Sequence, residues 1–116
     1  MMLSLPANAA IYLHTAPTDM RKGFDGLSGV IRGQFGSDPQ DGSLFLFVNR
    51  RKDRMKILHW DGTGYWVYYK RLEAGTFELP TSPDGRVEID TAQLAMILAG
   101  IPLRNDCRRK RYRITS

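Results

Sequence analysis

Residues Leu44–Leu72 read LFLFVNRRKDRMKILHWDGTGYWVYYKRL. Three runs rich in apolar and aromatic side chains are divided by two short polar segments, Asn49–Arg54 and Asp61–Gly64. Asp61-Gly62 is a hairpin signal, because glycine reaches the positive φ that such tight turns require. Leu44–Asn49 is apolar on both alternating faces, with Leu44, Leu46 and Val48 on one side and Phe45 and Phe47 on the other. A strand that needs cover on both faces belongs in the middle of a sheet. Met55–Asp61 sets Met55, Ile57 and His59 against Lys56, Leu58 and Trp60, and Tyr65–Lys70 supplies a third strand. The first of the two turns holds Arg50, Arg51, Lys52 and Arg54, so the meander carries a basic loop.

Outward from this block, Ala10–His14 reads as a short strand and Ala16–Asp19 as a turn into a helix. Thr18 or Asp19 is the expected N-cap, accepting the orphan N–H bonds of the first turn. Met20–Phe35 has helical periodicity, with Phe24, Leu27, Val30, Ile31 and Phe35 on one stripe and Gly23, Gly26, Gly29 and Gly33 on another. Each glycine costs nearly ~1 kcal/mol relative to alanine inside a helix. The expected return is a close approach of the helix backbone to the sheet or to another helix; the alternative is a helix that frays until it packs. Gly36–Gly42 is a loop by composition. Thr76–Leu79 and Arg86–Asp90 read as shorter strands split by the loop Pro80–Gly85. Thr91 opens a second helix with Leu94, Ile97 and Leu98 on its apolar face, and Gly100 with Pro102 stops it. The expected class is α+β: an antiparallel β-meander of about five strands with one long and one short helix packed on it. Residues 1–103 form a single α+β domain in this reading. Residues 104–116 form a basic C-terminal tail, expected to be flexible until it meets a partner.

A chain of 116 residues can bury roughly two-thirds of its unfolded surface, enough for a core without staples. The lone Cys107 excludes an intrachain disulfide and a cysteine-cluster zinc site. The opening MMLSLPANAA lacks the basic and apolar regions of a signal peptide, and no run approaches the roughly 18 apolar residues of a membrane span. A cytoplasmic protein with no membrane partner is expected. The net charge is +5, and five of the 17 Lys and Arg residues lie between Arg50 and Lys56. Six more lie between Arg104 and Arg113, opposed only by Asp106. Such clustering favours nucleic acid as a partner over an acidic protein or plain solvation.

The residues offer little to catalysis. Most carboxylates sit in turns, and Asp53 and Asp61 bracket one strand at its opposite ends. Two-metal chemistry instead needs carboxylates that converge on ions about 4 Å apart. His14 and His59 lack metal-ligand spacing, and a strand histidine such as His59 is most often structural. Cys107 lies beside Arg108 and Arg109, which lower a thiol pKa, but no histidine is fixed beside it. The glycines of the helix do not spell a phosphate loop. No catalytic residue, metal or cofactor is expected. Phosphate contacts are expected from Arg50, Arg51, Lys52, Arg54 and Lys56 in the loop and from Arg108, Arg109, Lys110, Arg111 and Arg113 in the tail. The aromatics Phe45, Phe47, Trp60, Tyr65, Trp66, Tyr68 and Tyr69 interleave with these. Some can stack bases, although core and cross-strand packing is their commoner use. Lys70 and Arg71 face opposite sides of their strand, where charge also guards an edge.

Three segments together resemble a known family. They are Asp19–Leu27, carrying Arg21, Lys22, Gly23, Phe24, Asp25 and Gly26; Leu46–Leu58, running on through Trp60, Asp61, Gly62 and Gly64; and Lys70–Phe77, opening with Lys70, Arg71, Leu72 and Glu73. This wording is similar to the accessory proteins of bacterial insertion sequence 66 transposable elements (the TnpB type, unrelated to the RNA-guided nuclease sharing that label). The resemblance covers about Ile11–Ile101. It implies a helper role in transposition beside an element-encoded transposase. DNA at the element ends and the transposase are the implied partners. Charge clustering adds the expectation that loop and tail clamp DNA. The other reading is a module that docks on the transposase and scaffolds the complex.

Overall fold

In the computed structural model, which describes residues 8–101, Leu44–Val48 is buried from end to end. It forms β2 of a five-stranded sheet. The other strands are β1 (Ile11–His14), β3 (Arg54–Trp60), β4 (Tyr65–Arg71) and β5 (Arg86–Ile89), in the order β4-β3-β2-β1-β5. Each face of β2 meets its own core. Leu44, Leu46 and Val48 pack with Ile11, Leu13, Met55, Ile57 and Phe77 beneath helix α2 (Thr91–Leu98), which contributes Leu94 and Ile97. Phe45 and Phe47 pack with Leu58 and with Leu27, Ile31 and Phe35 of the first helix. That helix is α1 (Phe24–Val30), continued by a π-helical segment, Ile31–Phe35. The alternation of Leu44–Val48 therefore places one helix on each side of the sheet.

The sheet is mixed, which corrects the expected all-antiparallel meander. β2, β3 and β4 are antiparallel neighbours, but β1 runs parallel to β2, pairing Ile11 with Leu44 and His14 with Phe47. The cause is the helix between them. Parallel neighbours need a crossover connection, and α1 supplies it. β5 then pairs antiparallel to the free side of β1.

Four other expectations change. Thr76–Leu79 joins no ladder; the segment leaves the sheet so that Phe77 can bury its ring against the α2 face, where it is 1 % exposed. The long helix begins at Phe24 rather than Met20, without a side-chain cap. Asp19 is spent on a local turn instead, accepting from the Arg21 backbone and guanidinium. The glycine stripe does not lie hard against the sheet. A Cβ at Gly23, Gly29 or Gly33 would meet nothing within 4 Å, and one at Gly26 would touch only the Lys22 side chain. At the other end of the chain, α2 is capped by Asp90, which was expected inside a strand. Its side chain accepts from Gln93 N–H while the Gln93 side chain accepts from Asp90 N–H. Gly100, at φ +74, ends α2 in the left-handed position glycine favours. Among the described residues no helix is long and apolar enough to cross a membrane.

Phe77 combines deep burial with an irregular backbone, so its ring, not a ladder, holds residues 76–79 in place. Phe77→Ala is expected to cost about 3–5 kcal/mol in urea unfolding. His14 is buried on the α1 face, with Phe35 and Phe47 ring centroids 5.3 and 6.0 Å away. Burial lowers its pKa from the ordinary 6.5, opposed by a hydrogen bond with Gln34. The unfolded chain then binds a proton at His14 that the native state resists, so acid favours unfolding. Stability should fall as pH drops through the ordinary histidine value of 6.5 and below it, and His14→Gln should flatten that dependence.

Candidate nucleic-acid interface

The chain leaves β2 at Asn49 and re-enters the sheet at Arg54, and the turn between them is built around one side chain. Asn49 Oδ1 accepts from the backbone N–H of Asp53 and of Arg54, each at 3.0 Å. Asn49 Nδ2 donates to Asp53 Oδ1 at 2.7 Å, and Asn49 C=O accepts from Lys52 N–H at 3.1 Å. The turn is also tied outward. Lys52 C=O accepts from Phe77 N–H at 2.7 Å, and Asp53 C=O accepts from Leu72 N–H at 2.8 Å. The turn presents Arg50, Arg51 and Lys52 to solvent, all exposed.

Lys52 has φ +60, the only non-glycine residue in the left-handed region among those described. A side chain there costs roughly 1–2 kcal/mol in place of a residue that tolerates it. Asp53 sits in the same turn but does not cancel the charge by direct pairing. Its carboxyl is held below the ordinary range first by the Asn49 hydrogen bond, with the nearby Arg51 charge assisting against desolvation. Among the described residues the ion pairs are Arg21–Asp19 and Arg71–Glu73, so Arg50, Arg51 and Lys52 belong to none.

Arg54 and Lys56 continue the basic surface along the α1 side of the sheet, and β4 meets them there. Arg54 Nη1 donates to Tyr69 Oη at 3.2 Å, and Lys56 Nζ lies 4.8 Å from the Tyr69 ring centroid. Lys56 also donates to Lys22 C=O at 2.8 Å, which joins this patch to the start of α1. Arg71 stands directly opposite Arg54 in the ladder, paired with Glu73 at 2.9 Å. Lys70 turns to the other face and donates to Leu98 C=O at 2.6 Å. Beside the hairpin a cleft of about 550 Å³ opens between Pro17–Met20 and the residues Asn49, Arg50, Arg51, Asp53 and Arg54. Asp19 at its rim has a pKa lowered to about 2, chiefly by its hydrogen bonds from Arg21.

The expected site residues therefore separate. Arg50, Arg51, Lys52, Arg54 and Lys56 form one connected surface with Tyr69, whereas Lys70 faces away. Arg21, Lys22, Gly23, Phe24, Asp25 and Gly26 lie at the mouth of α1, next to that surface through Lys22. Trp60, Asp61, Gly62 and Gly64 lie at the far end of β3 and serve the second turn. There Asp61 Oδ1 accepts from Thr63 and Gly64 N–H, its Oδ2 accepts from Trp66 Nε1 at 2.7 Å, and Gly62 takes φ +103. These bonds hold the Asp61 carboxyl well below the usual carboxylate range. Of the seven aromatics, Phe45 and Phe47 are core, and Trp66 and Tyr69 are the exposed ones, each 52 % accessible. His59 is buried against Ser43 C=O, a structural position. Arg108, Arg109, Lys110, Arg111 and Arg113 lie outside the described residues. Among the described residues no three His, Cys, Asp or Glu side chains gather as a metal site. Two features escaped the sequence reading: the brace by Asn49, whose only signal was an Asn four residues before an Asp in a turn, and the Tyr69 contact with Arg54 and Lys56.

Fold and site together define an α+β domain that displays a braced basic hairpin. The chain belongs to the IS66 Orf2-like family, insertion-sequence-associated proteins: the family model described as "IS66 Orf2 like protein" matches residues 9–108. Two Sinorhizobium fredii proteins are similar to it. "Uncharacterized protein y4hO" is 36 % identical over 104 residues, 90 % of each chain. "Uncharacterized protein y4jC" is 33 % identical over 91 residues, 78 % of each chain. No solved structure matches.

The strain at Lys52 yields a stability test. Lys52→Gly should be as stable as the parent or up to about 1 kcal/mol more stable in urea, because glycine adopts this φ freely. Lys52→Val, β-branched, should lose about 1–2 kcal/mol.

Proposed function

We propose that this protein is a non-enzymatic accessory factor of DNA transposition that holds the phosphate backbone of the element ends through the Asn49–Arg54 hairpin. The single observation that carries the reading is Lys52. A lysine occupies a backbone position where glycine costs less, in a turn braced by Asn49, directly after two exposed arginines that form no ion pair with a described residue. Strain retained in an otherwise well-satisfied turn points toward use of the side chain. Arg54 and Lys56 extend the row on the α1 side, and Tyr69 lies among them as a flat apolar surface. Arg108, Arg109, Lys110, Arg111 and Arg113 are proposed as the second arm of the clamp. Family membership supports the setting, an insertion sequence with a transposase of its own. Phosphate contacts orient a protein on a duplex and carry no direct sequence information, which suits a helper acting beside the enzyme that cuts.

The test is binding of the purified protein to a labelled element end and to a scrambled duplex, over a salt series. Affinity should fall steeply with salt, by roughly 0.9 log units per log unit of salt for each phosphate contact. The triple substitution Arg50→Ala, Arg51→Ala, Lys52→Ala should weaken binding to both duplexes alike and lower the slope by roughly 2–3. Absence of binding to either duplex at low salt would overturn the clamp. A pull-down in which the transposase retains the triple variant would then favour the docking module.

A further inference from the structure

β4 is an edge strand whose free side matches itself. The bonds Asp61 N–H to Gly64 C=O (3.1 Å) and Leu72 N–H to Asp53 C=O (2.8 Å) fix the phase of the β3–β4 ladder. Opposed residues of an antiparallel pair alternate between bonded and non-bonded, so Trp66, Tyr68 and Lys70 spend their backbone groups on His59, Ile57 and Met55. The N–H and C=O groups of Tyr65, Val67, Tyr69 and Arg71 point off the sheet, and no described residue bonds to them. Edge strands are ordinarily short, bulged or charged along their length. This one is seven residues of Tyr-Trp-Val-Tyr-Tyr-Lys-Arg, with aromatics at one end and cations at the other. The opposite edge of the sheet, β5, has four residues.

We propose that β4 pairs with β4 of a second copy of this chain, antiparallel and centred on Tyr68, to give one continuous ten-stranded sheet. Antiparallel self-pairing brings the cationic end of each strand against the aromatic end of the other. In this register Tyr65 faces Arg71, Trp66 faces Lys70, Val67 faces Tyr69, and Tyr68 faces itself on the two-fold axis. Every residue of the strand is used and no like charges meet. Centring on Lys70 would set two lysines face to face, and centring on Trp66 would leave Lys70 and Arg71 beyond the pair. Tyr65, Val67, Tyr69 and Arg71 fall at bonded positions, so their outward backbone groups are satisfied across the axis. Trp66–Lys70 and Tyr68–Tyr68 fall at non-bonded positions, where Cα atoms approach to about 4.5 Å and side chains touch most closely. Trp66 is already fixed for this contact, its indole held by Asp61 and lying 11° from the plane of Tyr68, with centroids 6.1 Å apart. Lys70 is drawn along the same face by its bond to Leu98 C=O. The partner is thus a second copy, recognised by cation–aromatic complementarity. The pairing is independent of the DNA reading.

The experiment is sedimentation of the full chain combined with disulfide trapping. The chain should sediment as a dimer at micromolar concentration. Trp66→Lys, which sets a second cation opposite Lys70, should weaken the dimer by roughly tenfold or more. In a Cys107→Ser background, Tyr68→Cys should oxidise to a covalent dimer, and Glu88→Cys on β5 should not. A monomer up to about 100 μM would overturn the proposal. So would a dimer indifferent to Trp66→Lys and trapped through Glu88→Cys. With Cys107 retained, an intrachain disulfide formed by the Tyr68→Cys variant with Cys107 would overturn it too, by assigning the edge to the chain's own residues 102–116.

Discussion

Burial of Leu44–Val48 on both faces is the constraint on which the rest of the structure depends. A five-residue strand with leucines and valine on one side and two phenylalanines on the other cannot face water anywhere. It needs a neighbour on each edge and a cover on each face. The edges go to β1 and β3. One face goes to α1 with its π-helical extension, and the other to α2 and Phe77. The helix that covers the first face is also the crossover that makes β1 parallel to β2. Cover and connection are the same element, so the helix that buries Phe45 and Phe47 also makes the parallel pairing possible.

The same constraint positions the basic hairpin. It springs directly from the buried end of β2, so its base is as fixed as the core. Asn49 then closes the turn from inside, and the carbonyls of Lys52 and Asp53 hold the chain on either side of Glu73. With Asn49, Lys52, Asp53 and Arg54 tied by backbone bonds, the turn offers the exposed side chains of Arg50, Arg51 and Lys52 outward. Fixed cations lose less conformational freedom on meeting a phosphate than those on a loose loop, the general advantage of preorganisation. The strained Lys52 and the exposed Tyr69 between Arg54 and Lys56 belong to the same surface.

Much of this was legible in the chain. The two-faced pattern of Leu44–Val48 located the central strand, the Asp61-Gly62 pair located the second hairpin, and the apolar spacing of Leu94, Ile97 and Leu98 oriented α2. The crowding of Arg50–Lys56 located the candidate interface, and the three family-like segments led to the family. What failed rests on tertiary choices that local pattern does not encode. Thr76–Leu79 alternates like a strand, yet Phe77 gains more from the core than from a ladder. Thr18 and Asp19 have cap chemistry, yet Asp19 is taken by Arg21 and the helix waits until Phe24. Four helix glycines suggest a close approach, yet three of them face open space, and the structure offers no packing reason for them. The parallel pairing of β1 depends on which edge of β2 is free when the crossover returns, and no short-range pattern records that. The brace at Asn49 depends on a turn geometry that a single asparagine does not announce.

Holding an anionic partner in the way proposed requires the Asn49–Arg54 hairpin to be rigid rather than a floppy basic loop. Backbone ¹⁵N relaxation across Asn49–Arg54 in the free protein tests it most directly. Order parameters near about 0.85 are expected through Lys52, Asp53 and Arg54, falling in Asn49→Ala. Values below about 0.6 in the parent chain would contradict it, because a turn that samples many shapes has no reason to hold lysine at a left-handed position.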